Sequence, residues 1–451
     1  MNVTIVGAGY VGLTTGVSLA YIGHDVLCVD KNPAIVERLR RGEPTIHEPG
    51  LEEMLRETRG RFDAQDHLPD LGGDQVVIIA VGTPPKDNGD ADLVFVETAA
   101  KEIAERVADG SRLVVVNKST VPIGSARHVQ GILQRALEAR GVDAQVDVAS
   151  NPEFLAEGNA VRDSLYPDRI VIGSASNRTV AVLRQLYAPL LEQTFEPPSE
   201  TPRPERYVLP ALITTTPTSA ELTKYAANAF LATKISFINE FAGLAERIGA
   251  DITEVARAIG LDDRIGPRYL HAGAGWGGSC FGKDTSAIIA TAATYSYPMA
   301  IVEAAVDVNR RQRSHIVQRL QEHLKVLRGA TIGILGVAFK GNTDDIRDAP
   351  ALTVIESLLD QGANVRLHDP VALDNLRRAR PDLDVAYCED ARTLASGCDA
   401  LVVLTDWNEY RHLALPDLRQ RMRGNLLVDA RNLLHPETAR DADFNYVGVG
   451  R

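Results

Sequence analysis

The chain has 451 residues, 45% of them hydrophobic and 24% charged, with a formal net charge of −12, and that length exceeds what one hydrophobic core fills, so two or three domains are expected. The acidic balance, with no clustered Lys/Arg face, argues against a nucleic-acid partner, and the longest apolar stretches, such as 76–82, fall far short of the roughly 20 residues that span a bilayer. Cys28, Cys280, Cys388 and Cys398 are too sparse for a disulfide framework and none has metal-site spacing; with a first segment that lacks the features of a signal peptide, the expectation is a reduced, cytoplasmic protein without a metal or a membrane partner.

Short β-branched runs at 3–9, 25–30, 75–82, 112–120 and 146–154 alternate with helix-compatible stretches. Strands buried on both faces read this way, so the pattern predicts an α/β fold with a doubly wound parallel sheet. The proline-rich segment 196–210 cannot supply a full ladder of hydrogen bonds and is expected to be a surface loop or linker. Residues 219–250 carry a run of good helix formers, opened by Ser219 with Glu221 nearby, and predict one long bridging helix. Its apolar positions Leu222, Tyr225, Ala229, Ala232 and Phe237 wrap much of the circumference, so more than one face is expected to be buried, either against a second subunit or within a plain interdomain spine. The strand pattern returns at 331–339, 364–370, 399–407 and 425–432, which predicts a second, smaller Rossmann-like domain. The expected division is 1–210, a central helical region 211–320, and 321–451.

Gly7, Gly9, Tyr10, Val11 and Gly12 belong to a GxGxxG motif between a strand and a helix-compatible run, the arrangement that turns backbone N–H groups toward a pyrophosphate. The next strand ends in Asp30, where a carboxylate accepts from ribose hydroxyls and favours NAD over NADP. Thr83, the 118–120 segment and the 151–154 segment all follow strand ends, and in such sheets ligands lie beyond the carboxyl ends, so three tips are expected to converge on one crevice. The stretch 273–284 holds five glycines around Trp276 and Cys280, a loop of the kind that lets backbone approach a ligand. If Cys280 opens a helix, the N-terminal dipole favours its thiolate and Asp284 lies on the same face. Cys28, Cys388 and Cys398 suit the inert buried role of most lone cysteines. Glu153 with Glu157, and Lys224 with Asn228, repeat the four-residue spacing, and a buried Lys and Asn facing a cleft can stabilise a developing oxyanion.

With EPGL (48–51), KSTVPIGS (118–125), NPEFLAEG (151–158), GGSCFGKD (277–284), FKGNTDDIRDAP (339–350) and DARN (429–432), the sequence resembles the UDP-glucose/GDP-mannose dehydrogenase family from Met1 to about Leu434. The resemblance implies two Rossmann-like domains joined by a long central helix that mediates dimerisation. It also implies NAD as cofactor and a nucleotide sugar as substrate, UDP-glucose before dTDP-glucose, GDP-mannose or a UDP-N-acetylhexosamine. The implied reaction is a four-electron oxidation to the acid through a thiohemiacetal and a thioester on Cys280; the remote alternative is a non-catalytic nucleotide-sugar-binding regulator. Lys224 and Asn228 are then the oxyanion stabilisers, Asp284 and Thr120 position water, and Glu157 is the general base for hydrolysis. Thr83, Thr120, Glu157, Lys283 and Arg347 resemble cofactor contacts. Glu153, Phe154, Leu155, Gly277, Gly278 and Phe281 resemble the sugar-nucleotide pocket, as do Phe339, Lys340 and Arg431. Arg264 and Tyr269 resemble substrate contacts, the arginine reaching in from a neighbouring subunit. Two departures stand out: Ile35 occupies a position where many members carry a basic residue, with Lys31 as its nearest substitute, and 196–210 looks like an insertion.

Overall fold

A computed structural model describes all residues, 1–451. The chain forms two compact units, Met1–Ala227 with Ser286–Ser296, and Asn228–Thr285 with Tyr297–Arg451.

The first unit is built on eight strands, β1 (Asn2–Val6), β2 (Asp25–Val29), β3 (Phe62–Gln65), β4 (Asp74–Ile79), β5 (Arg112–Asn117), β6 (Gln145–Ser150), β7 (Arg169–Gly173) and β8 (Ala211–Thr215), in the order β3-β2-β1-β4-β5-β6-β7-β8. From β3 to β6 this is the doubly wound dinucleotide-binding order, with the switch point between β1 and β4. The apolar run at β4 is continuous because both faces are covered: Val76 and Ile78 pack into one helical layer, Val77 and Ile79 into the other. The sheet is not wholly parallel as expected, since β7 meets β6 antiparallel at Ser150↔Gly173 while β8 runs parallel to β7. Three of the eight strands lie outside the predicted runs. β3 is a short polar edge, and β8 is an edge strand with exposed positions, so neither carries the signature of a buried strand; β7, RIVIG, does carry it, with four of five residues buried.

The second unit repeats the plan with β9 (Thr331–Leu335), β10 (Asn364–His368), β11 (Val385–Tyr387), β12 (Ala400–Val403), β13 (Leu426–Asp429) and β14 (Asn445–Gly448), ordered β11-β10-β9-β12-β13-β14 and parallel throughout. Gly336, just after β9, has φ +97°, and a Cβ there would lie 2.3 Å from the Thr405 side chain. The tight turn after the first strand therefore requires glycine in this unit too.

The long helix is Pro217–Ile248. It starts two residues before Ser219 because Thr216 supplies the cap, its Oγ1 accepting from the Ser219 N–H at 3.2 Å, and proline is well suited to a first helical position. It stops before Gly249, which has φ +75°. Tyr225, Ala229 and Ala232 are buried as expected, but Leu222 and Phe237 are 45% and 46% exposed within the chain. Glu221 does not serve its own helix. Its carboxylate accepts from the Gly124 and Ala126 N–H groups at 2.6 and 2.9 Å and from the Ser150 hydroxyl at 2.9 Å, capping the distant helix Ser125–Arg140.

The proline-rich segment is irregular, as expected, yet firmly attached: Thr201 and Pro198 are buried, Tyr166 donates to the Thr201 carbonyl at 2.9 Å, and Tyr207 donates to the Pro167 carbonyl at 2.8 Å. It is a bracket on the first unit more than a linker.

Glu221→Ala would leave two N–H groups and one hydroxyl without their buried acceptor, which costs on the order of 1–3 kcal/mol. Chemical denaturation should show a matching fall in the unfolding midpoint, and an unchanged midpoint would mean that the helix at 125 does not rely on this carboxylate.

Candidate functional site

In the first unit the glycine turn divides its labour. Gly7 has φ +104° and sits against the Ala80 carbonyl; a Cβ on Gly12 would lie 1.9 Å from the Gly7 carbonyl oxygen, whereas a Cβ on Gly9 would meet nothing within 4 Å. The first and third glycines thus serve the turn itself, and the second leaves the backbone open to a ligand. Helix Tyr10–Tyr21 begins there with Gly9 at its N-cap and no side-chain cap, so its first N–H groups suit the pyrophosphate that such turns bind. Asp30 follows β2; it accepts from the Ala8 N–H at 2.9 Å and from the Asn32 N–H at 2.9 Å and stays partly exposed. Lys31 is ion-paired with Glu102.

The three strand tips do converge. Thr83 donates its hydroxyl to the Thr120 carbonyl at 2.8 Å, and Lys118 donates to Asn151 Oδ1 at 3.1 Å. Asn151 also accepts from the Tyr187 hydroxyl at 2.5 Å and donates to the Val171 carbonyl at 2.7 Å. Beside them Lys224 Nζ and Glu153 Oε1 form a 2.7 Å ion pair with side chains only 3% and 5% exposed. Burial alone would raise the Glu153 carboxyl, but Lys224, the Leu155 N–H at 2.6 Å and nearby Lys118 outweigh it and hold the carboxyl below its ordinary range. Burial pushes Lys118 down to about 8, Glu153 opposing and Lys224 adding to the shift. Glu157 is buried at 8% exposure, and Phe154 lies beneath the Arg169 guanidinium, 3.8 Å from its ring centroid. Segment 151–156 is irregular, so the spacing of Glu153 and Glu157 carries no helical meaning.

In the second unit Cys280 precedes helix Phe281–Thr294, and its carbonyl accepts the Asp284 N–H at 2.8 Å, which makes it the N-cap residue. It is partly exposed, while the other three cysteines are buried. Asp284, 1% exposed, accepts from Asn228 Nδ2 at 2.6 Å and from Lys283 Nζ at 2.6 Å. The glycines ahead of Cys280 have a role different from the expected one. A Cβ on Gly273 would lie 2.7 Å from the Ala430 carbonyl, on Gly275 2.5 Å from Asn309, on Gly277 2.3 Å from the Asp348 carbonyl, and on Gly278 2.8 Å from the Phe339 ring. Protein atoms, not a ligand, demand glycine at these four positions. Asn309 completes the clamp, accepting from the Trp276 N–H at 2.7 Å and donating to its carbonyl at 3.0 Å.

Arg431 donates to the Leu404 and Phe339 carbonyls at 2.7 and 2.8 Å, and Lys340 Nζ lies 5.7 Å from the Phe339 ring centroid. Phe281 meets Tyr269 and Trp276 edge-on, with centroids 6.4 and 6.1 Å apart. Arg347 pairs with Asp345 at 2.7 Å, and Arg264, 88% exposed, with Asp262 at 2.5 Å. The second unit also has an acid after its second strand, but Asp369 is 4% exposed and accepts from the Val337, Ala338, Val371 and Ala372 N–H groups and from the Trp407 indole. An acid so fully engaged in holding its own loop is unlike Asp30, and it marks the first unit as the dinucleotide site. Tyr187, inside helix Asn177–Glu192, and Glu48, in an irregular segment, carry no local sequence signal for the contacts they make.

Gly9→Ala should fold as stably as the parent yet bind NAD at least about tenfold more weakly, because the added methyl meets only the ligand's side of the turn. Gly12→Ala should instead lower stability by about 3 kcal/mol or more through overlap with the Gly7 carbonyl. Calorimetry of NAD binding with thermal melts separates the two; equal melting losses would overturn the division of labour.

Three family models match in sequence: the NAD binding domain, the central domain and the UDP binding domain of the UDP-glucose/GDP-mannose dehydrogenase family, at residues 1–191, 218–311 and 333–436. The chain is 43% identical to a UDP-glucose 6-dehydrogenase of Rhizobium meliloti (strain 1021), with 100% of both chains covered. A solved UDP-glucose dehydrogenase from the hyperthermophilic archaeon Pyrobaculum islandicum is 39% identical with a TM-score of 0.85, covering 100% of this chain and 97% of its own. A UDP-D-ManNAc dehydrogenase from Pyrococcus horikoshii is 27% identical with a TM-score of 0.83, covering 100% and 99%. With its doubly wound sheets, long helix and NAD-binding turn, this chain belongs to the UDP-glucose/GDP-mannose dehydrogenase family.

Proposed function

We propose that the protein oxidises UDP-glucose to UDP-glucuronate, with Cys280 as a covalent nucleophile. The observation that carries the covalent step is the place of Cys280, a partly exposed thiol at a helix N-cap beside a buried Asp284 held by Asn228 and Lys283. Glucose is favoured over an N-acetylhexosamine because the relatives at 43% and 39% identity bear the UDP-glucose name, whereas the UDP-D-ManNAc enzyme stands at 27%.

The glycine turn, Asp30 and Thr83 hold NAD, with Lys283 and Arg347 as further contacts. When bound, NAD+ supplies the hydride acceptor for both oxidations. Cys280 Sγ adds to the aldehyde carbon, so the intermediate stays attached to the protein, and Lys224 and Asn228 stabilise the negative oxygen. After the second oxidation a water molecule, oriented by Thr120 and Asp284, attacks the thioester carbon; Glu157 takes its proton and the C–S bond breaks, releasing the acid and returning Cys280 as the thiolate. Residues 1–210 form the cofactor-binding part, 211–320 the central part and 321–451 the nucleotide-sugar part, where Phe339, Lys340 and Arg431 contact the substrate. The exposed apolar face of the long helix, with Leu222, Phe230, Phe237, Phe241, Leu244 and Ile248 between 43% and 67% exposed, supports a homodimer in which Arg264 serves a neighbour's site.

With UDP-glucose the enzyme should form two NADH per sugar, read at 340 nm; a yield of one with free aldehyde would defeat the four-electron reaction. Cys280→Ser should lower turnover by at least about a thousandfold while leaving NAD and UDP-glucose binding intact. Near-normal acid formation by that variant would replace the covalent route with oxidation of a hydrated aldehyde.

A further inference from the structure

The EPGL motif at 48–51 has no part in the reaction as described, yet its acid is among the most buried in the chain. Glu48 is 6% exposed. Its Oε2 accepts from the Gly158 N–H at 2.7 Å and its Oε1 from the Ala160 N–H at 2.6 Å, and it is hydrogen-bonded to the Tyr10 hydroxyl. That hydroxyl in turn accepts from the Gly158 N–H at 2.8 Å. One carboxylate therefore joins the first residue of the NAD-binding helix to the two N–H groups that follow Glu157. Gly158 has φ +77°, so the turn directly after Glu157 favours glycine.

Glu48 is itself held from behind. Gly50 has φ +79°, and a Cβ there would lie 2.5 Å from Thr201 Oγ1. Glu53, a few residues on, accepts from the Glu200 N–H at 3.0 Å and from the Ser199 hydroxyl. The proline-rich segment is thus the brace that keeps the EPGL turn in place.

We propose that Glu48 is a positioning residue for thioester hydrolysis: it holds the 157–160 turn, and with it the Glu157 carboxylate, in register with the NAD-binding turn. This rests on the reading of Glu157 as the base that takes the water proton. The two backbone donors require two acceptor oxygens, and an amide offers only one, with its NH2 turned toward an N–H group.

The test is Glu48→Gln in the full-length enzyme, with rapid-mixing kinetics and intact-protein mass spectrometry. The first-turnover burst of NADH should persist within about threefold, while steady-state kcat falls by about 10- to 100-fold and an acyl adduct accumulates on Cys280. KM should fall with kcat, leaving kcat/KM nearly unchanged, because only a step after acylation has slowed. Added hydroxylamine, which cleaves thioesters without a base, should restore turnover. A merely structural defect would lower burst and steady state together. If Glu48→Gln does not fold, Glu48→Asp, which keeps the charge but reaches less far, is read in the same way. Loss of kcat/KM without an adduct, while Glu157→Gln does accumulate one, would overturn the role of Glu48 and leave the covalent mechanism standing. No adduct in either variant, with Cys280→Ser active, would instead overturn the mechanism on which the role depends.

Discussion

The buried pair between Lys224 and Glu153, with side chains 3% and 5% exposed, is the constraint around which the first unit's site is arranged. Taking two charges out of water costs several kcal/mol per ion, which only close geometry and further hydrogen bonds offset. The 2.7 Å contact and the Leu155 N–H provide both for Glu153. Such a pair is a poor source of stability compared with apolar packing of the same volume, so its value lies in what it fixes. It locks an irregular segment after β6 to a turn of the long helix, close to Lys118, whose ammonium burial pushes down to about 8.

The two units share one strand order but differ at the place where that order meets chemistry. After β2, Asp30 touches the glycine turn with one oxygen and remains partly exposed. After β10, Asp369 is consumed by four backbone N–H groups and an indole. The same acid in the same topological place keeps acceptor capacity facing outward in one case and fastens a loop in the other, because exposure, not residue type, decides what a carboxylate can accept from.

Glycine shows the same ambiguity. In the turn after β1 only Gly9 leaves open space, and the four glycines from 273 to 278 are small because Asn309, Asp348, Phe339 and Ala430 already occupy the room. A glycine-rich loop ahead of a partly exposed cysteine therefore reads as access from sequence, while in the fold it is close packing that holds the loop rigid.

The sequence by itself determined the alternation of apolar strands with helices, the dinucleotide turn, the long helix and the singular setting of Cys280, because each is written in neighbouring residues through periodicity and local turn chemistry. It also carried the family resemblance, through motifs that are contiguous. Only the tertiary structure decided what the polar residues do. Glu221 lies in a helix-opening position yet caps another helix 95 residues away, and Glu48 reaches a turn 110 residues away. β3 and β8 at the sheet edges are not legible in the sequence, because an edge strand need not be apolar on both faces. The exposure of Leu222 and Phe237 on the long helix was likewise invisible in a pattern that says a face is apolar but not what covers it. Hydrogen-bond partners and covering surfaces are set by contacts between distant segments, and no local pattern records them.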